Sequence, residues 1–389
     1  MKRRNSRQSK GFRIPVLSFF TGGGFLDMGF DKAGFEVVWT NELNPVFADM
    51  YSYGMTLWRK SLNHNAETKT ISELRSIEQI FAPEIIRSAF PNGRPGFFGI
   101  IGGPPCSDFS PGGKNHGAKG ANGQLSGIYI NRICKILPAF FVFENVPGLY
   151  RTKIHRDFLS KFEEKLERCN YCLDLKILNA LEFGVPQNRE RLFMIGIQRK
   201  YANQILGRKI KHDERGWFPW PTNKKYVNAK TRFSWPGIVE DGEKPSMPED
   251  IPLELTVYKV LSTGKHSPIN LKNGKDVFKP YSSKFKTVRE GYTKRKSFKR
   301  LHRYRFSPTA CYGHNEVHLH PWKKRRLSVR EAMRIQGIPD SFALPAKAFL
   351  TDKFLIVSNG VPVPLAYEVA ASLRRFLKLE RIYTKRNKA

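Results

Sequence analysis

Residues 102–110 read Gly-Gly-Pro-Pro-Cys-Ser-Asp-Phe-Ser, and Glu144-Asn145-Val146 begins 38 positions after Cys106. A thiol becomes a strong nucleophile once ionised, and a free cysteine is only a few per cent thiolate near neutrality unless its site lowers the pKa. A glutamate at the end of the apolar run Phe140–Phe143 is the complementary group, because partial burial lets a carboxyl hold a proton that it can deliver. Arg189 and Arg191, in Gln187-Asn188-Arg189-Glu190-Arg191, lie two apart on an extended segment and therefore face one side. A thiol in a rigid proline turn followed by such a carboxyl points to covalent attack on an aromatic base. For Cys106 an inert core role is disfavoured, since two prolines before it and Asp-Phe-Ser after it make poor core packing.

A second group of residues has the form of a nucleotide-type cradle. Phe20-Thr21-Gly22-Gly23-Gly24 follows a β-rich run, and glycines there let the backbone pass close to a ligand. Such turns also serve dinucleotides. Glu42, at the end of the next β-rich run, is placed to accept hydrogen bonds from ribose hydroxyls.

Together with Arg326–Ala332 and Asn359-Gly360-Val361-Pro362, these six strings stand in the order seen in the cytosine carbon-5 DNA methyltransferase family, and the chain resembles its bacterial restriction-modification members. The resemblance covers nearly the whole chain. It implies a doubly wound α/β, Rossmann-like S-adenosylmethionine-dependent methyltransferase domain with an inserted smaller target-recognition domain. It also implies S-adenosylmethionine as cofactor, with Phe20 near the adenine, Gly22 and Gly24 making room, Glu42 on the ribose and Asn359 closing over the methionine part. On the substrate side, Cys106 would add to carbon 6 of cytosine and Glu144 would hydrogen-bond or protonate ring nitrogen 3. Arg191, with Arg189 in the same set, would contact the base and favour the thiolate. No side chain reaches carbon 6 inside a duplex, so the base must be flipped out. The glycine-rich, basic segment Ser110–Gly123 is suited to closing over DNA. Three positions depart from the family pattern: Phe25 replaces a glycine, Thr70 an adenine-contacting aspartate, and Phe98 an aspartate before the Pro-Cys turn.

The elements that must position these groups follow from periodicity. Val16–Phe20, Glu36–Thr40, Phe97–Ile101, Phe140–Phe143, Leu173–Leu178 and Leu192–Ile197 read as strands. Pro45–Tyr53, Leu125–Leu137 and His155–Arg168 read as helices, an alternation that predicts a parallel sheet covered by helices. Ligands of such sheets gather at the carboxyl ends of the strands, where all the motifs lie. After Ile197 the alternation fails, and periodicity returns at Ser328–Gln336 and Pro364–Leu379. The expected division is a basic tail at 1–13, a catalytic domain at 14–197, a target-recognition domain at 198–325, and a segment at 326–389 that returns to the catalytic domain.

With 389 residues, the chain exceeds the size at which one core keeps growing. Its net charge of +33 favours a polyanionic partner. Residues 199–326 alone hold 30 Lys and Arg against 11 Asp and Glu. Within 281–305, basic residues alternate with Tyr281, Phe285, Tyr292, Phe298 and Tyr304, which suits phosphate contacts with aromatic packing. Duplex DNA is the expected partner, and a restriction endonuclease acting on the same site is a candidate second one. A monomer in the cytoplasm, at the nucleoid, is expected. The amino-terminal Lys2, Arg3, Arg4, Arg7, Lys10 and Arg13 precede an apolar run too short for a membrane span, leading into glycines rather than a cleavage site, and no apolar run elsewhere is expected to reach the length of a span. Five scattered cysteines show no disulfide-like regularity, and neither Cys169-x-x-Cys172 nor Cys311 with His314, His318 and His320 is assigned a metal. A tRNA cytosine-5 methyltransferase of the same fold and a non-catalytic DNA-binding regulator are the alternatives; intact Cys106, Glu144 and Arg191 argue against the second.

Overall fold

The computed structural model describes residues 13–62, 70–105, 121–240, 243–262, 267–295, 297–309, 312 and 318–377. Cys106, the segment 107–120, Lys296, Cys311 and His314 lie outside the described residues, as does the basic tail before Arg13.

Six strands form one sheet in the order β2-β1-β3-β4-β6-β5. In chain order these are β1 (Ile14–Phe19), β2 (Phe35–Asn41), β3 (Gly99–Gly102), β4 (Phe140–Asn145), β5 (Tyr171–Asn179) and β6 (Glu190–Gln198). All six predicted strands are present. Their direction differs in one case: β6 runs antiparallel to both β4 and β5, whereas β1, β2, β3 and β4 are mutually parallel. The stretch 180–189 between β5 and β6 holds only a 3-10 turn, Ala180–Phe183, and is too short for the helical crossover that a parallel pair requires.

The central strands are buried on both faces, as β4 shows along its whole length. Alternation with period two divides its side chains: Phe140 and Val142 enter one core, and Phe141 and Phe143 the other. The first core is covered by α1 (Phe25–Lys32), α7 (Arg199–Leu206) and α13 (Val363–Leu377), through residues such as Phe30, Ala202, Val369 and Leu373. The second is covered by α3 (Ala82–Ala89), α4 (Ala121–Ile136), the short α5 (Gly148–Arg151) and α6 (Lys153–Arg168), through Ile85, Ile130, Ile133, Leu149, Leu159 and Leu166. A third cluster joins α1 and α2 (Pro45–Ser61) to α11 (Val329–Ile335) and α12 (Leu350–Asn359).

Between α7 and α11 the described chain carries only short pieces. Besides the 3-10 turns Leu253–Leu255 and Pro268–Asn270, these are α8 (Ala229–Arg232), α9 (Val257–Leu261), α10 (Lys284–Thr287) and the two-residue parallel pair β7 (Lys299–Arg300) and β8 (His318–Leu319). Buried polar anchors hold this stretch. The fully buried Arg300 guanidinium donates to the Val288, His320 and Lys323 carbonyls, and Ser328 caps α11 reciprocally with Glu331. Burial holds His320 at about 3 and His302 at about 4, far below the usual histidine range, so these rings are neutral packing elements.

Two sequence readings change. Leu350–Leu377 is long and apolar enough to cross a membrane, although no such run was expected. It is two core helices, α12 and α13, separated at Gly360, with 61% of its most apolar window buried in protein. Cys134 at the end of α4 is joined to Cys169, the cap of α6, in a disulfide with Cα atoms 5.8 Å apart. Cys169 therefore does not act with Cys172, which is buried with its thiol pKa pushed up by desolvation.

Candidate active site

The register of β3 against β4 pairs Gly102 with Phe143, which sets Gly103 and Pro104 beside Glu144. The approach is close: a Cβ on Gly103 would lie 2.5 Å from Glu144 Oε2, so the carboxylate needs a glycine there. Asn145 Nδ2 donates to the Pro104 carbonyl at 3.4 Å and its Oδ1 accepts from Val146 N–H, fixing the stem of the proline turn to the end of β4. Cys106 follows this stem by two residues and lies outside the described residues.

β6, the next strand, brings Arg191 to the same carboxylate, with Nε 3.0 Å from Glu144 Oε1 and both side chains about nine-tenths buried. Desolvation raises the Glu144 pKa above the usual carboxylate range, opposed by the charges of Arg191 and Arg189. The net direction is upward, so the site favours the protonated carboxyl more than water does. That is the state needed by a proton donor.

Arg189 is tied to α12 as well. It is fully buried, and its Nη2 donates to the carbonyls of Ser358 and, at 3.0 Å, Gly360. Its charge reaches Glu144, and its hydrogen bonds hold the end of α12 on either side of the exposed Asn359. Arg189→Lys is expected to lower stability by about 1–3 kcal/mol, since an ammonium cannot reproduce the planar fork and leaves a buried carbonyl unpaired. Denaturant unfolding measures this; an unchanged midpoint would show that the carbonyls do not need the guanidinium.

The glycine turn after β1 is built as a cradle. Gly22 and Gly24 have left-handed φ of +54° and +78°, and a Cβ on Gly24 would meet Tyr51 at 2.6 Å. Gly22 N–H donates to Glu42 Oε2 at 2.8 Å, and Asn44 N–H donates to Oε1 at 2.9 Å. Glu42 thereby clasps the ends of β1 and β2 while each oxygen keeps a lone pair for a ligand hydroxyl. Phe20 has φ +53°, unusual for a non-glycine residue, and its half-buried ring meets Tyr129 edge-on at 5.8 Å.

Two supports had no signal in the motifs. Tyr129 on α4 is fully buried and donates from its hydroxyl to the Val142 carbonyl, a seat for Phe20. Asp27, in the first turn of α1, accepts from Ser18 Oγ at 2.6 Å and tethers the glycine turn from below. An acid in a helix's first turn is a signal that could have drawn attention to Asp27.

The three departures resolve differently. Phe25 is buried against Phe342 and Ile356, with Gly360 packed onto its ring, so it belongs to the core beneath the turn. Phe98 is likewise buried, packing on Phe90 with Arg94 over its face. Thr70 is exposed, and its carbonyl accepts from Thr40 Oγ1 at 3.3 Å, placing it at the rim of the end of β2.

The profile of the family described as C-5 cytosine-specific DNA methylase matches residues 14–375. Type II methyltransferase M.NmeDI of Neisseria meningitidis serogroup C is 38% identical over 369 residues, covering 93% of this chain and 84% of that protein. Type II methyltransferase M.FnuDI of Fusobacterium nucleatum is 31% identical over 382 residues, covering 94% and 95%. Among solved structures, a putative DNA modification methyltransferase encoded within an E. coli prophage superposes with a TM-score of 0.58 at 23% identity, covering 94% of this chain and 99% of the other. The S. pombe Dnmt2 methyltransferase superposes at 0.56 with 14% identity, covering 93% and 99%. These structural likenesses speak to the fold.

Proposed function

The chain belongs to the C-5 cytosine-specific DNA methylase family and is a DNA cytosine-5 methyltransferase of the Type II restriction-modification kind, and from that premise we propose how its own residues carry the reaction. The observation that carries the reading is the buried Glu144–Arg191 pair against the Gly103–Pro104 stem, two residues short of Cys106.

The cradle fits S-adenosylmethionine. Glu42 offers acceptors to ribose hydroxyls, Phe20 a ring face, Gly22 and Gly24 space, and Asn359 an exposed amide held by Arg189. When bound, the cofactor supplies a methyl group on a sulfonium, whose sulfur leaves as a neutral thioether.

On the substrate, Cys106 thiolate adds to carbon 6 of an extruded cytosine, which breaks the ring's conjugation and makes carbon 5 enamine-like. Glu144 donates its proton to ring nitrogen 3 as charge develops there. Arg191 holds the Glu144 carboxyl in place, and its cation favours the thiolate form of Cys106. Loss of the carbon-5 proton to water after methyl transfer lets the Cys106–carbon 6 bond break with the sulfur leaving as thiolate, and return of the nitrogen 3 proton to Glu144 restores the neutral aromatic ring. Base extrusion costs a few kcal/mol, offset by contacts to the flanking backbone.

The stretch 198–325 is the proposed reader of the DNA sequence, set between a catalytic unit at 14–197 and the returning segment 326–389. Exposed Tyr281, with Arg326 over its ring and hydrogen-bonded to its hydroxyl at 2.8 Å, is one surface on which cations and aromatic rings meet. A monomer acting in the cytoplasm, with a nuclease of the same specificity, completes the reading. Exchanging residues 200–325 for the corresponding stretch of a related enzyme is expected to change which sequence is methylated. Methyl incorporation into duplex DNA and into tRNA, measured side by side, tests this. An active exchanged protein that keeps its original site, or incorporation into tRNA alone, would overturn it.

A further inference from the structure

In a chain of net charge +33, one cleft of about 510 Å3 is acidic. Helix α6 contributes Ser160, Glu163 and Glu164 to its lining, and the buried Glu167, on the same helical face, meets His212 and Asp213 beside it. His212, Asp213 and Arg215, from the segment that follows α7, complete the site. Four carboxylates here face two arginines, Arg168 and Arg215. The cleft lies at the opposite end of the sheet from Glu144: α6 leads into Tyr171, which pairs with Gln198, whereas Glu144 pairs with Phe193 further along β6.

Glu167 is the unusual member. It is 6% exposed, and Arg215 Nη1 donates to its Oε1 at 3.0 Å. Its other oxygen, Oε2, takes no hydrogen bond although His212 Nε2 stands 2.8 Å away. A nitrogen and an oxygen this close, with no ring N–H directed at the oxygen, resemble two ligands of one cation. At metal–ligand distances of about 2.0–2.2 Å, ligands at the near-right angles of a water-rich five- or six-coordinate site would stand roughly 2.9 Å apart, against about 3.4 Å in a tetrahedral one. The second ring nitrogen, Nδ1, lies 2.8 Å from Asp213 Oδ2. A carboxylate accepting that N–H fixes the tautomer whose Nε2 lone pair is available to a metal, the usual second partner of a metal-bound histidine.

We propose that Glu167 Oε2 and His212 Nε2 bind a divalent first-row transition ion of the Zn2+ class, with Asp213 orienting the imidazole and water filling the open positions. A mixed imidazole and carboxylate donor set suits such ions better than Mg2+ or Ca2+. Arg215 neutralises the other oxygen of Glu167 and leaves Oε2 to the metal. The ion staples α6 to the segment that leads out of α7. Its distance from Glu144 gives it no part in methyl transfer, so the proposal stands apart from the reaction proposed above.

The test is titration of ZnCl2 into the chelator-treated full chain by calorimetry, comparing wild type with His212→Ala and Asp213→Asn. His212 is 68% exposed, so its loss leaves the fold intact. Wild type is expected to bind one ion at this site, with affinity lost at least 100-fold in His212→Ala and reduced about 10- to 100-fold in Asp213→Asn. Zn2+ should raise the unfolding temperature of wild type and not that of His212→Ala, with DNA methylation equal in both. Substituting Co2+ should give a spectrum without thiolate-to-metal charge transfer. Equal binding by wild type and His212→Ala, a thiolate band, or no binding by wild type would each overturn the proposal.

Discussion

Cys106→Ala abolishes methyl incorporation into duplex DNA while leaving binding to the same DNA in place. Carbon 5 of cytosine is a poor nucleophile because the ring's electrons are held in conjugation, and without a thiolate at carbon 6 nothing else in the site makes it enamine-like. The described neighbours of the turn supply a carboxyl, a guanidinium and backbone, none of which replaces a soft nucleophile. Binding persists because the thiol makes no phosphate contact, and phosphate contacts dominate affinity for DNA. A duplex carrying 5-fluorocytosine at the target should trap wild type as a covalent adduct, since fluorine at carbon 5 cannot leave as a proton does; Cys106→Ala should give none. Turnover retained by Cys106→Ala would sink the covalent mechanism.

The fold was legible where local pattern decides it. Phe140–Phe143 reads as a buried strand because four apolar residues in succession have nowhere to face but two cores, and both cores exist. The direction of β6 was hidden, because apolar runs carry no sign; only the shortness of the stretch 180–189 could have indicated it. The same limit applied to Arg189. Spacing put it on one side of the strand with Arg191, but its carbonyl partners are 169 and 171 residues away in sequence, and no local pattern specifies such a pair. Cys134 with Cys169, and Glu167 with His212, became neighbours for the same reason: packing of separate elements, which periodicity does not encode. Phe25 and Phe98 departed from a motif yet proved to be core residues, so a motif position is not always a ligand position.

Glu144→Gln keeps the shape and one hydrogen bond to Arg191 but carries no proton to give, and single-turnover methyl transfer should fall by roughly two to four orders of magnitude, the scale of losing a general acid. The pH dependence follows from the direction of the Glu144 shift. Burial raises its folded pKa above the unfolded value, so the carboxyl stays protonated to higher pH than in the unfolded chain, and the donor is lost as pH rises through the folded value. Arg191 opposes that shift, so Arg191→Gln should raise the pKa further and move the alkaline limb of the rate profile to higher pH, even as the rate itself drops. Stability carries the same sign. A carboxyl whose folded pKa is raised contributes fully below its unfolded pKa, and that contribution disappears as pH rises through the folded one. At neutral pH the charged Glu144 is therefore a cost, and Glu144→Gln, which resembles the protonated form, should unfold at a denaturant midpoint no lower than wild type. An unchanged single-turnover rate would remove Glu144 from the chemistry. A midpoint well below wild type, with the rate lost, would instead make the Glu144–Arg191 pair a support of the fold.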